Sequence, residues 1–258
     1  MAYADITTRD PNPLKRWLQR RRFSDAIAVL RRAQVGDRLR VLDFGAGNGE
    51  LVRQMADVAP IEAWVYEPTP SLMAEAKENL ADLDAATFTE NLDSVASGLF
   101  DYVFCLEVFE HLPQKETASA IADIHRLLKP DGIAVIGVPH ELFLPALFKG
   151  LFRSCRRYGD FDANPGNILG AIVGRPPLQR PTVDLSPGLP FHLHHLGFDY
   201  RVLERTLQER LQLSRKWFSP FPLLGAAFNS EVYFLLRKAQ PDLAADAGPE
   251  SGRTRRPG

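Results

Sequence analysis

The sequence predicts an α/β fold built around a doubly wound, mostly parallel sheet. From Leu39 onward, short runs of β-branched and aromatic residues alternate with helical stretches, as is typical of parallel strands joined by right-handed crossovers. A glycine-rich turn follows the first of these runs, at the place where open α/β sheets bind ligands. The chain has 258 residues, 45% of them hydrophobic, which suits one large α/β domain.

Strands are predicted where short apolar runs are bounded by turn residues, at Arg40–Phe44, Glu62–Tyr66, Ala86–Thr89, Tyr102–Leu106, Ile133–Val138, Gln212–Trp217 and Glu231–Leu236. Helices are predicted where apolar residues recur at helical spacing, at Asn48–Val58, Pro70–Leu80, Glu116–Leu128 and Tyr200–Arg210. The last two strands follow each other without an intervening helix. This arrangement indicates an antiparallel pair at one edge of the sheet.

The chain divides into three parts. Residues 1–36 form a basic segment with a predicted helix that begins at Pro13, a residue that suits the first helical position. Residues 37–238 form the main domain, and within it residues 140–198 interrupt the alternation of strands and helices as a predicted lid insertion. Residues 239–258 lack apolar periodicity, so we expect a disordered tail.

Composition limits the classes of function. The formal net charge is −1, which argues against a general nucleic-acid-binding protein. The two cysteines, Cys105 and Cys155, lie in different contexts and do not suggest a disulfide framework. The sequence shows neither a signal-peptide pattern nor a long apolar run, so we expect a cytoplasmic location.

The glycine-rich turn indicates a cofactor site. Gly45, Gly47 and Gly49 permit a tight turn and a close approach of the backbone to a ligand. A dinucleotide-binding fingerprint needs a third glycine where Glu50 stands, so the turn departs from that motif. Asp43, at the end of the preceding strand, would repel a pyrophosphate and suits a ligand that carries an ammonium group.

Glu67 supplies a second carboxylate, at the carboxyl end of the next predicted strand. Its two oxygens can accept hydrogen bonds from both hydroxyls of a ribose. An ammonium partner at Asp43 together with a ribose partner at Glu67 describes an amino-acid-bearing nucleoside such as S-adenosylmethionine.

Residues 39–138 resemble the core of the class I S-adenosylmethionine-dependent methyltransferases. Val41–Gly49 is similar to the glycine-rich motif of that family, Phe100–Cys105 to its fourth strand and Leu127–Gly132 to the turn before its fifth strand. The resemblance implies a methyltransferase with S-adenosyl-L-methionine as cofactor. It also implies a Rossmann-like, seven-stranded sheet in the order 3-2-1-4-5-7-6, with the last strand antiparallel.

The same resemblance implies further cofactor contacts beside Asp43, Gly45, Gly47 and Glu67. The adenine is expected near residues 90–92, where Glu90, Asn91 and Leu92 are alternatives and Asn91 is our candidate. Cys105, near the end of the matching fourth strand, completes the candidate cofactor-binding set.

Glu107, Glu110 and His111 follow the fourth strand and are the candidate catalytic residues. On a helical turn their spacing places all three side chains on one face. Two carboxylates and an imidazole can bind a divalent cation, or they can position an acceptor hydroxyl and take its proton.

This segment resembles the corresponding parts of ubiquinone-biosynthesis O-methyltransferases and small-RNA 2′-O-methyltransferases. The resemblance implies a metal site, for Mg or Zn, made by Glu107, Glu110 and His111 and completed by a later histidine. His194 and His195 fit that placement best, with His195 as our candidate and His140 as an outside alternative. A metal-free polar acceptor pocket and a purely structural role remain open alternatives.

The segment 141–157 of the predicted lid has the pattern of an amphipathic helix. Its predicted apolar face comprises Leu147, Phe148, Leu151, Phe152 and Cys155, and its predicted basic face comprises Lys149, Arg153, Arg156 and Arg157. Such a helix can make a peripheral contact with an anionic membrane through residues 142–157. It can also pack on the domain as a lid whose charged face meets solvent.

The leading hypothesis is O-methylation of a small-molecule, lipid-linked or sugar acceptor. Methylation of RNA or protein is an alternative that the near-neutral charge disfavours. Another alternative is a catalytically silent protein that binds S-adenosylmethionine and has a regulatory role. The fold by itself fixes neither the acceptor nor the oligomeric state.

Overall fold

The structure is a computed structural model that describes residues 13–32, 38–186 and 188–238. The predicted tail, 239–258, lies outside these ranges, as do residues 1–12 and 33–37 of the predicted basic segment and its boundary. None of the helices in the described ranges has both the length and the apolar character needed to cross a bilayer.

A seven-stranded sheet forms the centre of the domain. Its strands are β1 (Leu39–Phe44), β2 (Ile61–Tyr66), β3 (Ala86–Thr89), β4 (Phe100–Leu106), β5 (Leu128–Pro139), β8 (Leu211–Ser219) and β9 (Glu231–Lys238). Their order is β3-β2-β1-β4-β5-β9-β8, and β9 runs antiparallel to both of its neighbours. The predicted fold class, strand order and antiparallel last strand are therefore confirmed.

The helices are α1 (Pro13–Ile27), α2 (Glu50–Ala56), α3 (Pro70–Asn79), α4 (Gln114–Leu127), α5 (Phe143–Arg157), α6 (Pro165–Ile172) and α7 (Tyr200–Gln208). Two separate cores cover the two faces of the sheet. Residues of α4 and α7, such as Ile124 and Leu207, pack on one face. The core on the other face contains Ile27 of α1, Met55 of α2 and Ala76 of α3. The doubly wound arrangement follows from these two layers.

The lid insertion has a structure of its own. After β5 it forms α5 and α6, and then a small hairpin of β6 (Thr182–Ser186) and β7 (Leu189–His192). Gly150 allows α5 and α6 to pack closely, because a Cβ at this position would lie 2.6 Å from a methyl group of Ile168. The insertion therefore forms a packed layer at the carboxyl end of the sheet rather than a long loop.

Candidate functional site

The glycine turn after β1 forms a narrow cradle. Gly45, Gly47 and Gly49 have φ angles of 78°, 56° and 77°, in the left-handed region that favours glycine. A Cβ at Gly45 would lie 2.5 Å from Val108 Cγ2, so this position also needs a residue without a side chain. The amides of Gly45 and Ala46 both donate to the Tyr66 carbonyl, which ties the turn to β2.

Asp43 lies beneath this cradle as an unpaired carboxylate. Its side chain is 3% exposed, and its Oδ2 has no hydrogen-bond partner among the residues that the structure describes. Burial, together with the nearby negative charge of Glu67, raises the pKa of Asp43 to about 8. A buried carboxylate without a cation is unfavourable, so the site fits the ammonium group of an amino-acid ligand.

Glu67 holds the cradle in place. Its Oε2 accepts from the Gly47 amide at 2.9 Å, and its Oε1 accepts from the Thr69 amide at 2.9 Å. Each oxygen keeps a second lone pair, so the carboxylate can still accept from ligand hydroxyls. Glu67 therefore combines a structural contact to the glycine turn with the predicted capacity to bind a ribose.

The other cofactor candidates differ in exposure. Asn91 is exposed in the turn after β3, where its Oδ1 accepts from the Asp93 amide at 2.8 Å. Leu92 is buried in the core, so the exposed side chains of Glu90 and Asn91 are the ones that can meet an adenine. Cys105 is fully buried within β4. Its neighbour Leu106 instead lines the cleft between the glycine turn and α1, which is the candidate cofactor cleft.

Glu110, His111 and His195 come together beside this cleft. One ligand atom from each lies within 4.8 Å of the others, and the two Nε2 atoms of the histidines are 3.2 Å apart. Glu110 is fully buried, and neither of its carboxylate oxygens has a hydrogen-bond partner among the described residues. The segment forms a short turn, in which the His111 amide donates to the Val108 carbonyl, and the next helix, α4, begins only at Gln114.

The lid insertion orients this group. His111 Nδ1 donates to the His192 carbonyl at 2.8 Å, which leaves the Nε2 lone pair directed at His195. Phe191 stacks on the His111 ring with centroids 4.2 Å apart. Arg180 donates to the carbonyl oxygens of Glu110 and His194, and this residue was not singled out by the sequence. The lid insertion thus supplies His195 and also the contacts that hold Glu110 and His111 in place.

The protonation states suit a cation site. Burial lowers the pKa of His111 and lowers that of His195 to about 4, so both rings are neutral at pH 7. Burial and the charge of Glu107 raise the pKa of Glu110 well above its usual range. Neutral imidazoles, together with a carboxyl group that loses its proton when a cation binds, are the donor set that borderline divalent metals bind. The residues present therefore fit a divalent cation.

Glu107 faces a different partner. Its Oε2 lies 2.9 Å from the guanidinium of Arg22, and Arg22 also bonds Glu231 at 2.5 Å. Burial alone would raise the pKa of Glu107, but Arg22 and His195 outweigh burial and hold that pKa below its usual value. Burial and the charge of Glu107 raise the pKa of Glu231 to about 8, although Arg22 opposes that shift. The structure thus places Glu107 in a network with Arg22 rather than in the group of Glu110, His111 and His195.

The backbone of Glu107 supports a functional role for this residue. Its φ angle is 57°, which is rare for a residue with a side chain and costs about 1–3 kcal/mol. Its amide donates to the Gly137 carbonyl at 2.9 Å, which fixes this conformation. Arg22 and Glu231 were missed by the sequence interpretation, because each is far along the chain from Glu107 and is surrounded there by ordinary charged or apolar residues.

The two other histidine candidates lie elsewhere. His194 Nδ1 is 3.5 Å from Asp162 Oδ1. His140 is fully buried, and its Nδ1 donates to the Asn229 carbonyl at 3.1 Å. Of the histidines considered, His195 alone joins Glu110 and His111 in the described part of the chain.

A second cavity, of about 320 Å³, lies next to the cleft and is the candidate acceptor pocket. Its floor and walls come from β5, α5 and β9, and α1 covers one side through Leu18 and Arg22. Its lining contains three basic residues, Arg22, Lys149 and Arg153, and three acidic residues, Glu107, Glu141 and Glu231. Glu141 accepts hydrogen bonds from both Lys149 and Arg153.

The lid helix turns its apolar face outward, in contrast to one of the two arrangements that the sequence left open. On α5, Lys149 and Arg153 point inward to Glu141, whereas Phe148, Leu151 and Phe152 are 64%, 57% and 57% exposed. The reason is that fully buried Glu141 needs two cations, and the small residues on α5 pack the helix on its neighbours. A lid that presents its charged face to solvent is therefore not what the structure shows.

The strand order together with the cradle at the end of β1 defines a class: the chain is a class I S-adenosylmethionine-dependent methyltransferase. It belongs to the family described as "Methyltransferase domain", whose model matches residues 14–162. The recognition made from the sequence is thus confirmed.

Solved structures show the same fold. The N-methyltransferase NodS from Bradyrhizobium japonicum WM9, in complex with S-adenosyl-L-homocysteine, has a TM-score of 0.55 and 16% identity, and 90% of each chain is covered. The magnesium protoporphyrin IX methyltransferase from Synechocystis PCC 6803, with bound S-adenosylhomocysteine, has a TM-score of 0.56 and 16% identity, with 88% of each chain covered. These likenesses establish the fold and leave the acceptor undetermined.

Curated relatives match a shorter segment. The ubiquinone biosynthesis O-methyltransferase of Actinobacillus pleuropneumoniae is 31% identical over 102 residues, which cover 36% of this chain and 43% of that protein. The enzyme of the same name from Rickettsia canadensis is 34% identical over 110 residues, which cover 41% of this chain and 44% of that protein. The chain thus spans less than half the length of these curated relatives.

Proposed function

We propose that this methyltransferase transfers a methyl group to a hydroxyl oxygen of an uncharged acceptor, with a divalent cation held by Glu110, His111 and His195. One observation carries the proposal. Glu110 is fully buried with both oxygens unpaired among the described residues, and the Nε2 atoms of two neutral histidines lie beside it. An unpaired buried carboxylate is costly, and a cation bound by these three residues would remove that cost.

The donor types favour a borderline metal of the zinc class over magnesium. Two imidazole nitrogens and one carboxylate suit zinc, whereas magnesium prefers oxygen ligands. Three protein ligands leave a coordination position for an acceptor oxygen, as in catalytic zinc sites. The hydrogen bond from His111 Nδ1 to the His192 carbonyl is the kind of outer contact that orients a metal-binding imidazole.

The acceptor pocket supports an uncharged substrate. Glu141 neutralises Lys149 and Arg153, and Arg22 is engaged by Glu107 and Glu231. Because each of these cations already has a carboxylate partner, none offers a phosphate an unshared charge. A phenol, a sugar or the head of a lipid-linked alcohol fits a pocket of this charge balance.

The chemistry can be assigned to the residues of the chain. When bound, S-adenosylmethionine supplies an electrophilic methyl group, and a divalent cation lowers the pKa of a hydroxyl that it coordinates. Asp43 binds the ammonium group of the cofactor and Glu67 its ribose. Glu110, His111 and His195 would hold the cation that orients the acceptor hydroxyl, and the carboxylate oxygen of Glu110 that is not bound to the cation would accept the hydroxyl proton. As the acceptor oxygen bonds to the methyl carbon, the bond from that carbon to sulfur breaks and S-adenosylhomocysteine leaves. The main contribution of the protein is to position oxygen, methyl carbon and sulfur in line.

The relatives support oxygen as the methylated atom. Two of the proteins that match the sequence carry the name ubiquinone biosynthesis O-methyltransferase, although the match covers less than half of each. The structural likeness includes an N-methyltransferase, so support for oxygen comes from the sequence relatives and from the group of Glu110, His111 and His195.

The first experiment measures metal binding directly. Purified protein is stripped with a chelator and titrated with ZnCl2 in a calorimeter, and its metal content is determined by elemental analysis. We expect about one tightly bound zinc ion per chain and at least tenfold weaker binding in Glu110→Gln and His195→Ala. His125→Ala, on α4, is the matched histidine control and should bind like the wild type. Equal binding in all four proteins would contradict the site.

The second experiment measures transfer. Stripped and zinc-loaded protein is incubated with S-adenosylmethionine and a panel of phenols, sugars and matched amines, and products are followed by the mass of one added methyl group. We expect transfer to hydroxyl compounds by the loaded protein and a large loss after chelation. Transfer confined to the amines would overturn O-methylation.

A metal-free pocket is a second candidate. The separation of 3.2 Å between the two Nε2 atoms is also a hydrogen-bond distance, and burial favours a protonated Glu110. In that case the same three residues act as acid and base on the acceptor hydroxyl. Full transfer activity after exhaustive chelation would favour this version, provided that Glu110→Gln remained impaired.

A further inference from the structure

The outer face of α5 consists of large apolar side chains that no described residue covers. Phe148, Leu151 and Phe152 are 64%, 57% and 57% exposed. Permanent exposure of three neighbouring large apolar side chains to water is unfavourable because of the hydrophobic effect. The inward direction of Lys149 and Arg153 makes the outward direction of these residues a fixed property of the helix.

Two other segments extend this apolar face. The turn between β8 and β9 approaches α5 at residues 226–228, and the Trp17 ring of α1 lies 6.3 Å from the Phe221 ring. Together with the α5 face they form a surface that we call the rim patch. Its exposed members are Trp17, Phe148, Leu151, Phe152, Phe221, Leu223, Leu224 and Phe228.

The rim patch adjoins the acceptor pocket. Phe152 belongs to both, and Leu18 and Pro220 line the pocket beside Trp17 and Phe221 of the patch. An acceptor in this pocket would therefore lie next to exposed apolar side chains of the patch. This position distinguishes the rim patch from scattered exposed residues such as Val202 on α7.

Positive charge borders the patch. Arg156 lies at the end of α5 with its guanidinium 5.4 Å from the centroid of the Phe152 ring. The neighbouring Arg157 is half-exposed, but its charge is shared with Asp162. Arg20 is exposed on α1, close to Trp17 in the chain, whereas the neighbouring Arg21 pairs with Asp25. The formal net charge of the whole chain is −1, so Arg20 and Arg156 place positive charge beside the patch on a chain that is close to neutral as a whole.

We propose that the rim patch docks on the surface of an anionic phospholipid bilayer and presents the acceptor pocket to it. Apolar side chains bordered by arginines match the boundary between acyl chains and negative headgroups. The aliphatic stems of the arginines can lie along the apolar face while their charged ends reach the phosphates. A second copy of this chain would bring the same arginines together, so charge favours the lipid surface over self-association.

The test is vesicle flotation with the purified chain, and it requires neither an acceptor nor a metal. Vesicles of phosphatidylcholine alone are compared with vesicles that also contain phosphatidylglycerol. We expect binding to the anionic vesicles, weaker binding to the neutral ones and a decrease at high salt. Because methyl transfer is not measured, failure here is distinguishable from failure of the proposed O-methylation.

Variants locate the contact. The double variant Phe148→Ser, Leu151→Ser should reduce binding to the anionic vesicles at least tenfold, and Arg156→Gln should reduce it less. Both positions of the double variant are surface-exposed, so folding, checked by circular dichroism, should be retained. Val202→Ser, which changes an exposed apolar residue on α7, is the matched control and should bind like the wild type.

Three outcomes would overturn the proposal. The first is absence of wild-type binding to the anionic vesicles, and the second is equal binding by the double variant. The third is a dimer in size-exclusion chromatography that the double variant converts to a monomer while no vesicle binding is seen. That last result would assign the rim patch to a second copy of the chain.

Discussion

Arg22 and Glu107 join the first helix to the catalytic end of the sheet. The guanidinium lies 2.9 Å from Glu107 Oε2, and the two side chains are about one-fifth exposed. The Tyr233 hydroxyl donates to the Arg22 carbonyl at 3.0 Å, so the backbone of α1 is fixed at the same point. The side chain of Arg22 is therefore held between two carboxylates, one beside the cofactor cleft and one in the acceptor pocket.

Replacing Arg22 with methionine should strongly destabilise the protein. The change leaves Glu107 and Glu231 without their shared cation, and breaking a buried ion pair by removing one partner costs about 3–5 kcal/mol. Denaturant unfolding monitored by circular dichroism measures this loss. Arg21→Met is the matched control, since Arg21 is 44% exposed and its pair with Asp25 should contribute about 0–1 kcal/mol. Equal losses in the two variants would show that the network contributes little.

Asp43→Asn should stabilise the protein without ligand while it weakens cofactor binding. The folded pKa of Asp43 is raised from its ordinary value of 3.8 to about 8, so its stabilising contribution is complete only below about pH 4 and is lost progressively as the pH rises to about 8. The asparagine variant avoids this loss, and we expect a gain on the order of 1–4 kcal/mol at pH 8. Thermal unfolding across this pH range measures the gain. A variant that was less stable than the wild type at every pH would contradict the unpaired state of Asp43.

Cofactor binding to the wild type should weaken as the pH falls below 8. The ammonium group needs ionised Asp43, so binding in this range releases a proton and affinity decreases by up to about tenfold per pH unit. Calorimetry with S-adenosylhomocysteine in two buffers of different ionisation enthalpy measures both affinity and proton release. Asp43→Asn should bind more weakly and should not show the proton release that titration of this residue causes.

Gly45→Ala should disturb the cofactor cradle for two separable reasons. The positive φ of Gly45 costs alanine about 1–2 kcal/mol, and the clash of the new Cβ with Val108 adds roughly 1–3 kcal/mol. Gly159→Ala isolates the first effect, because Gly159 has a φ of 94° and no atom lies within 4 Å of the place that its new methyl group would take. Adding Val108→Ala should recover the second effect, since the nearest remaining atom is then 3.6 Å away. Unfolding and cofactor affinity are measured for each variant.

Glu141 should contribute stability that disappears in acid. Burial alone would raise its pKa, but Lys149 and Arg153 hold the pKa at about 2 in the folded protein, below the unfolded value. The contribution is therefore complete above about pH 5 and is lost as the pH falls towards 2. Glu141→Gln should reduce stability by about 2–4 kcal/mol at pH 7, and the difference from the wild type should shrink steadily below pH 5. A difference independent of pH would contradict the ionised state.

The sheet could be predicted because its signals are local. Each strand is a short apolar run, and the glycine turn after β1 identifies the strand that carries the cofactor. The boundaries differ mainly at β5, which begins at Leu128 instead of Ile133 because Leu128 pairs with Phe100 across a bulge. Such a pairing depends on two distant segments, and no local pattern reveals it.

The candidate site was predictable only in part. Glu110 and His111 are adjacent in the sequence and His195 lies in a histidine-rich segment, so composition indicated all three. Arg22, Arg180 and Glu231 have no such signal, because their importance comes from the tertiary packing of α1 and the lid insertion. The orientation of α5 stayed open for the same reason: periodicity defines two faces, but buried Glu141 determines which face turns inward.

The position of α1 has a consequence for the order of events during turnover. Arg22 forms part of the wall of both the cofactor cleft and the acceptor pocket. A ligand that shifts this side chain in one compartment changes the free energy of binding in the other, and the effect is equal in both directions. Such coupling would link the departure of S-adenosylhomocysteine to the state of the acceptor compartment, through Arg22 and the two other residues that line both cavities, Glu107 and His195.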